Sequence, residues 1–252
     1  MPAQTSLQPP GSAAGLVVAV DGPSGSGKST VSRTVAQRLG LQYLDTGAMY
    51  RAVCWWCRHT GTDLADQPAV ARAARDIDLR IGTDPQSPMV AVGSTDVAQA
   101  IREPAISAAV SAVATNQQVR AELQRRQRDI IAAAGADGLP GIVAEGRDIT
   151  TVVAPQADVR VLLIADADAR LARRAAQDSA GSDEAARQAT RDQVLRRDRD
   201  DSTVSEFHTA ADGVVTIDSS RLDLEQTVQA VLRLVRAGAH THEPTPETEA
   251  SR

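Results

Sequence analysis

Gly22, Pro23, Ser24, Gly25, Ser26, Gly27, Lys28 and Ser29 satisfy the spacing G-x-x-x-x-G-K-S/T, and Thr30 follows them. Glycines at this spacing let a backbone turn its amides inward around a phosphate, and a helix starting at the lysine adds the positive end of its dipole. Lys28 can then reach the β and γ phosphates of a nucleotide such as ATP, and the Ser29 hydroxyl can ligate Mg²⁺. Lys28 stands out for a second reason. The 27 basic residues are 26 arginines and this one lysine. A compact ammonium kept at a single position marks a need that a planar guanidinium does not meet. The alternative, a glycine-rich turn with no ligand, is outweighed by the strand before the motif and the helix after it.

A phosphate loop fixes the ligand class, not the reaction. A GTP switch reads guanine with an Asn-Lys-x-Asp segment, which the lone lysine rules out. Arginines at several loop positions suit a second phosphorylated substrate instead. Tyr43 to Arg51 reads as a short strand and then a helix starting near Gly47, with Thr46 at the position of a cap. Gly141 to Asp148 is a buried strand ending in Glu145, Gly146, Arg147 and Asp148, and ligands of open α/β sheets gather at such ends. Glu145 is the candidate for holding metal-bound water. Asp166, Asp168, Arg170, Arg173 and Arg174 follow a further strand on a helix, where a solvated charged face is the plainer alternative. Cys54 and Cys57 sit inside a helical pattern with no second cysteine pair, so packing is expected there rather than a metal or redox pair. The four histidines have no ligand spacing.

Five strands must position these residues: Leu16–Val20, Gln42–Leu44, Ile142–Ala144, Val159–Ile164 and Val214–Ile217. Helical patterns separate them, which predicts an α/β fold with a five-stranded parallel sheet covered by helices on both faces. The core is expected over residues 15–60 and 116–237. Residues 61–115 break the pattern: strands at Asp76–Ile81 and Met89–Val92 flank a turn, which reads as a small α+β insertion. A polar break from Gln177 to Asp183 suits a mobile lid around 170–190. Residues 1–14 and 238–252 read as disordered tails. A net charge of −5 argues against a nucleic-acid binder, and no run is apolar enough to span a membrane. Residues 1–11 carry neither a basic start nor an apolar run, so no signal peptide is expected. Two cysteines fit a reducing cytoplasm. A monomer is expected.

Together these segments resemble the bacterial cytidylate kinase family, which transfers phosphate from ATP to CMP and dCMP. The resemblance rests on Asp21–Thr30, Leu44–Arg51, Ala144–Val153, Arg120–Arg128, and Arg197-Asp198 with Asp201-Ser202, within about residues 15–237. It implies a nucleoside-monophosphate-kinase core, with the insertion over the monophosphate site. It implies that Thr46, Arg51 and Arg147 hold the CMP phosphate, and that Arg197 and Asp201 contact its ribose. Asp148 and Arg120, with Ser111 beside them, would read cytosine, since an acid paired with an arginine matches its amino donor and ring acceptors. Arg173 and Arg174 of the lid helix are expected to face the transferring phosphate. The chain departs from the family where a phosphate-binding arginine and Pro-Leu usually follow Asp201. Here Ser202-Thr-Val-Ser-Glu-Phe207 stands instead, and Arg199 is the candidate replacement. The alternatives are a kinase for another acceptor (UMP, AMP or shikimate) and a nucleotide-binding regulator that transfers nothing.

Overall fold

A computed structural model describes residues 15–136, 139–177 and 198–240, without the side chains of 174–177, 239 and 240. Strands β1 (Leu16–Asp21), β2 (Gln42–Asp45), β6 (Gly141–Gly146), β7 (Val159–Ile164) and β8 (Val215–Asp218) form one sheet in the order β2-β6-β1-β7-β8. All four pairings are parallel. Helices α1 (Lys28–Leu39), α2 (Thr46–His59), α5 (Gln117–Ala134), α6 (Ala167–Gln177) and α7 (Leu224–His240) make the crossovers and flanks. The expected strands are all present, the last displaced by one residue.

The sheet divides its side chains by the period of two that strands impose. Val18, Val20, Val143, Val161 and Leu163 enter a core with Val31, Val35, Val228 and Val231 from α1 and α7. Ala19, Ile142 and Ala144 enter another with Ala52, Val53, Val119 and Leu123 from α2 and α5. Both faces are therefore covered, which explains why the central strands are apolar along most of their length, with Asp21 and Glu145 at the carboxyl ends of β1 and β6. Gly40 ends α1 at φ 66°, donating its amide back into the last turn.

The insertion holds α3 (Gln67–Asp76), strands β3 (Leu79–Ile81), β4 (Val90–Val92) and β5 (Thr95–Asp96), and α4 (Pro104–Ala114). Its strands form an antiparallel sheet. The expected hairpin is there, but β5 adds a third strand. At two exposed residues it is too short for an alternating signal. Residues 238–240, expected in the tail, continue α7. The other tail residues, 1–14 and 241–252, lie outside the described residues, as does 178–190 of the expected lid.

Parallel register sets where function can sit. Asp21 pairs with Gly146, Val20 with Glu145, and Asp45 with Glu145, so the carboxyl ends of β1, β2 and β6 stand level. The crevice at such ends is where open α/β sheets bind ligands.

Candidate active site

The glycine-rich loop joins β1 to α1. Gly25 and Gly27 have φ of 78° and 91°, a backbone region closed to most side chains. A Cβ on Gly25 would also lie 2.8 Å from the Arg170 carbonyl, so the loop packs directly on α6. Gly27 caps α1 with no side-chain bond, and the first turn carries no acid. The amides of such a helix start suit an anion. Lys28 Nζ donates to the Pro23 carbonyl at 3.3 Å and lies 4.0 Å from Glu145 Oε2. Ser29 Oγ donates to Glu145 Oε1 at 2.6 Å, and the Tyr43 hydroxyl donates to the same oxygen at 3.2 Å. Burial raises the Glu145 carboxyl above its ordinary range, and the nearby Asp45 charge adds to this against the pull of Lys28 and Ser29. Thr30 lies in the first turn of α1.

Asp45, not Thr46, caps α2: its Oδ1 accepts from the Ala48 amide at 2.8 Å. The acid is the better cap one residue earlier, where the chain is still extended. That corrects the capping expectation for Thr46, whose hydroxyl is turned across the sheet to the Glu145 carbonyl at 2.7 Å. Arg51, nearly two turns on, pairs with Asp45 at 2.9 Å. Arg102, from a short helical turn of the insertion, reaches the same carboxylate oxygen at 3.5 Å. Burial works to raise Asp45, but Arg51, Arg102 and the Ala48 amide outweigh it and hold the carboxyl below its usual range.

Arg147 and Asp148 follow β6 and separate by function of their neighbours. Arg147 donates to the Gly22 carbonyl at 2.7 Å, pairs with Asp201 at 3.2 Å and stacks on the Phe207 ring at 5.0 Å. Asp148 turns the other way. Its Oδ2 accepts from Arg120 at 2.7 Å and from Gln124 at 2.6 Å. Arg120 also donates to Ser205 Oγ and to the Ala114 carbonyl at the end of α4, three residues past Ser111. Gln124 was given no role although it lies in the Arg120–Arg128 segment that carries the resemblance, and Ser205 lies in the segment that departs from the family.

The whole turn is pinned from β1. Asp21 accepts from the Ile149 amide, the Thr150 amide and the Thr150 hydroxyl at 3.0, 2.8 and 2.6 Å. Burial nevertheless pushes its carboxyl up to about 6 against those bonds. A raised acid pKa means the folded chain holds this proton longer than the unfolded one. The contribution of Asp21 to stability therefore falls as pH rises from about 4 through 6. Urea unfolding from pH 4.5 to 7 should show the wild type losing ground to Asp21→Asn over this window. A difference independent of pH would show that Asp21 is ionised throughout.

On α6, Arg173 differs from expectation. Its donors go to the Ser26 carbonyl at 3.0 Å, to Ser219 Oγ at 3.0 Å and to the Ser219 carbonyl at 2.7 Å. It fastens the phosphate loop to the segment after β8 and has few donors left for a transferring group. The Arg174 side chain and all of Arg197 lie outside the described residues. Residues 198–202 are helical, and Arg199 there is exposed. Asp198 accepts from the Ser24 amide at 3.0 Å and pairs with Arg170 at 2.7 Å. Asp201 is buried beside Arg147. Cys54 and Cys57 are buried free thiols, and burial pushes the Cys54 thiol up to about 11, which suits packing rather than reactivity.

The phosphate loop, the half-buried Ser29–Glu145 bond and the two arginine–acid clusters share one end of the sheet. Three curated proteins extend the likeness. The chain is 50% identical over 221 residues to the cytidylate kinase of Cutibacterium acnes, covering 87% of this chain and 96% of that one. It is 46% identical to the cytidylate kinase of Nocardia farcinica, over 87% and 93% of the two chains. It is 43% identical to that of Streptomyces avermitilis, over 87% and 92%. The family model described as cytidylate kinase matches residues 18–237, nearly all that the sheet and its crossovers occupy. With that span and those identities, the chain belongs to the cytidylate kinase family.

Proposed function

We propose that this chain transfers the γ-phosphoryl group of ATP to CMP and dCMP, forming ADP and the diphosphates. The observation that carries the choice of base is the geometry of Asp148. Among the described residues, its side-chain donors Arg120 and Gln124 both land on Oδ2. That leaves Oδ1 to accept from the cytosine amino group, while remaining donors of Arg120 meet the ring acceptors. Uracil would set an oxygen against Oδ1.

Phosphoryl transfer needs little covalent help; the protein aligns two nucleotides and offsets charge. The loop from Gly22 to Ser29 and the start of α1, with Pro23, Ser24, Ser26 and Thr30, supports a place for the ATP phosphates. Lys28 offsets charge on the β and γ groups. Ser29 and Glu145 offer a hydroxyl and a carboxylate, hard oxygen donors that fit Mg²⁺, with Glu145 acting through bound water. When bound, the ion would offset phosphate charge and orient the β and γ oxygens. Thr46, Arg51 and Arg147 serve the CMP phosphate, Asp201 with Arg197 the ribose, and Ser111 the rim of the base site. Arg173 supports the loop from behind, and Arg174 stays a candidate for the transferring group.

ADP release measured with CMP, dCMP, UMP, AMP and no acceptor tests this directly. CMP and dCMP should turn over far faster than the others. Equal release without acceptor would indicate a hydrolysing regulator, and a preference for AMP or UMP a different kinase.

The insertion at 61–115 is proposed to cover the monophosphate. Its Arg102 already reaches the Asp45–Arg51 pair across the site. Adding CMP should slow amide exchange within 79–103, because closure orders that segment. Protection confined to the phosphate loop would make the insertion a bystander.

A further inference from the structure

Asp198 gathers three elements that the sequence keeps far apart. Its Oδ1 accepts from the Ser24 amide of the phosphate loop, its Oδ2 lies 2.7 Å from Arg170 Nη1 of α6, and Arg147 Nη2 of the β6 turn stands 4.0 Å away. Arg170 is thus held at the seam between the loop and Arg147. Its backbone is fixed there as well, since its carbonyl and Cβ pack on Gly25. The side chain is only 9% exposed, yet its Nε–H has no hydrogen-bond partner among the described residues. A buried unmet guanidinium donor is costly, and a phosphate oxygen is the partner its fork is shaped to meet.

We propose that Arg170 is an arginine of α6 that contacts the transferring phosphoryl group, and that Asp198 is the positioning residue that holds it between the two phosphate sites. This rests on the kinase reading above. In the step, the γ phosphorus breaks its bond to the β–γ bridging oxygen, whose electron pair stays on ADP. It bonds to an oxygen of the monophosphate. Negative charge spreads over the three γ oxygens as they cross the seam, and Arg170 gains its strongest contact there, not in the ground state. Arg173, one turn along, has its donors on Ser26 and Ser219 and cannot take this place without releasing them.

The test measures kcat, both KM values and the melting temperature for Arg170→Ala, Arg170→Lys and Asp198→Asn in the full chain. The acceptor is whichever one the wild type uses best. A wild type that prefers another acceptor overturns the CMP reading and leaves this comparison intact. Arg170→Ala should lose at least about a hundredfold in kcat with each KM within a few-fold. Guanidinium ion added to that variant should restore part of kcat without raising its melting temperature. Arg170→Lys, which keeps the charge and most of the stem, should stay impaired, because one ammonium nitrogen cannot stand both where Nη1 meets Asp198 and where Nε–H is left for a phosphoryl oxygen. Asp198→Asn should lower kcat by a smaller factor, roughly tenfold, because Arg170 is still present but less well held. A kcat within threefold of wild type in Arg170→Lys, a loss confined to KM, or a lower melting temperature with kcat intact would each overturn the proposal.

Discussion

Lys28→Ala is expected to cost about 3–4 kcal/mol of transition-state stabilisation, roughly two to three powers of ten in kcat. The ammonium is held for the task. It donates to the Pro23 carbonyl at 3.3 Å, lies 4.0 Å from Glu145, and its side chain is 12% exposed. So enclosed a cation is screened little by water and acts at near full strength on the phosphates that enter beside it. Lys28→Arg should fail almost as badly. A planar guanidinium needs width at the tip, and here the loop carbonyl and the buried Glu145 close on the site from two sides. Steady-state kinetics with saturating ATP decide the matter. An arginine variant near wild-type turnover would show that only a positive charge is required and that the lone lysine has no special meaning.

What could be foreseen here was local. The phosphate loop encodes its own backbone, because glycine spacing, the preceding apolar strand and the following helix are contiguous. Glu145 was legible as an acid at the end of a buried strand, and parallel register then sets it beside Ser29. What was missed is how residues pair across distance in sequence. Ser24 meets Asp198 over 174 positions, Arg173 meets Ser26 over 147, and Ser29 meets Glu145 over 116. No periodicity encodes such pairs. A run of arginines on one helix therefore could not be sorted into the one that faces the phosphate seam and the one that ties loops together. Asp45 was overlooked for a different reason: Thr46 beside it also caps helices well, and only the extended backbone at Asp45 decides between them.

The discrimination between CMP and UMP should depend on one oxygen of Asp148. Facing uracil, Oδ1 would meet the O4 oxygen, two acceptors opposed in a site where Asp148 is buried. Unpaired polar groups of this kind can cost a site about four to five powers of ten in kcat/KM. In Asp148→Asn the orientation of the amide is set by the protein. Arg120 and Gln124 both donate at the position of Oδ2, so the amide oxygen must take that place. The amide nitrogen then stands where Oδ1 stood, and it donates. It suits uracil O4 and repels the cytosine amino group. CMP activity should therefore fall, UMP activity should hold or rise, and the ratio of their kcat/KM values should shrink by orders of magnitude. The plainer role for Asp148 is structural, keeping Arg120 against Ser205 and the end of α4. That role predicts equal losses on both nucleotides, because a misplaced Arg120 serves neither. An unchanged CMP-to-UMP ratio in Asp148→Asn would therefore take the reading of the base away from this residue.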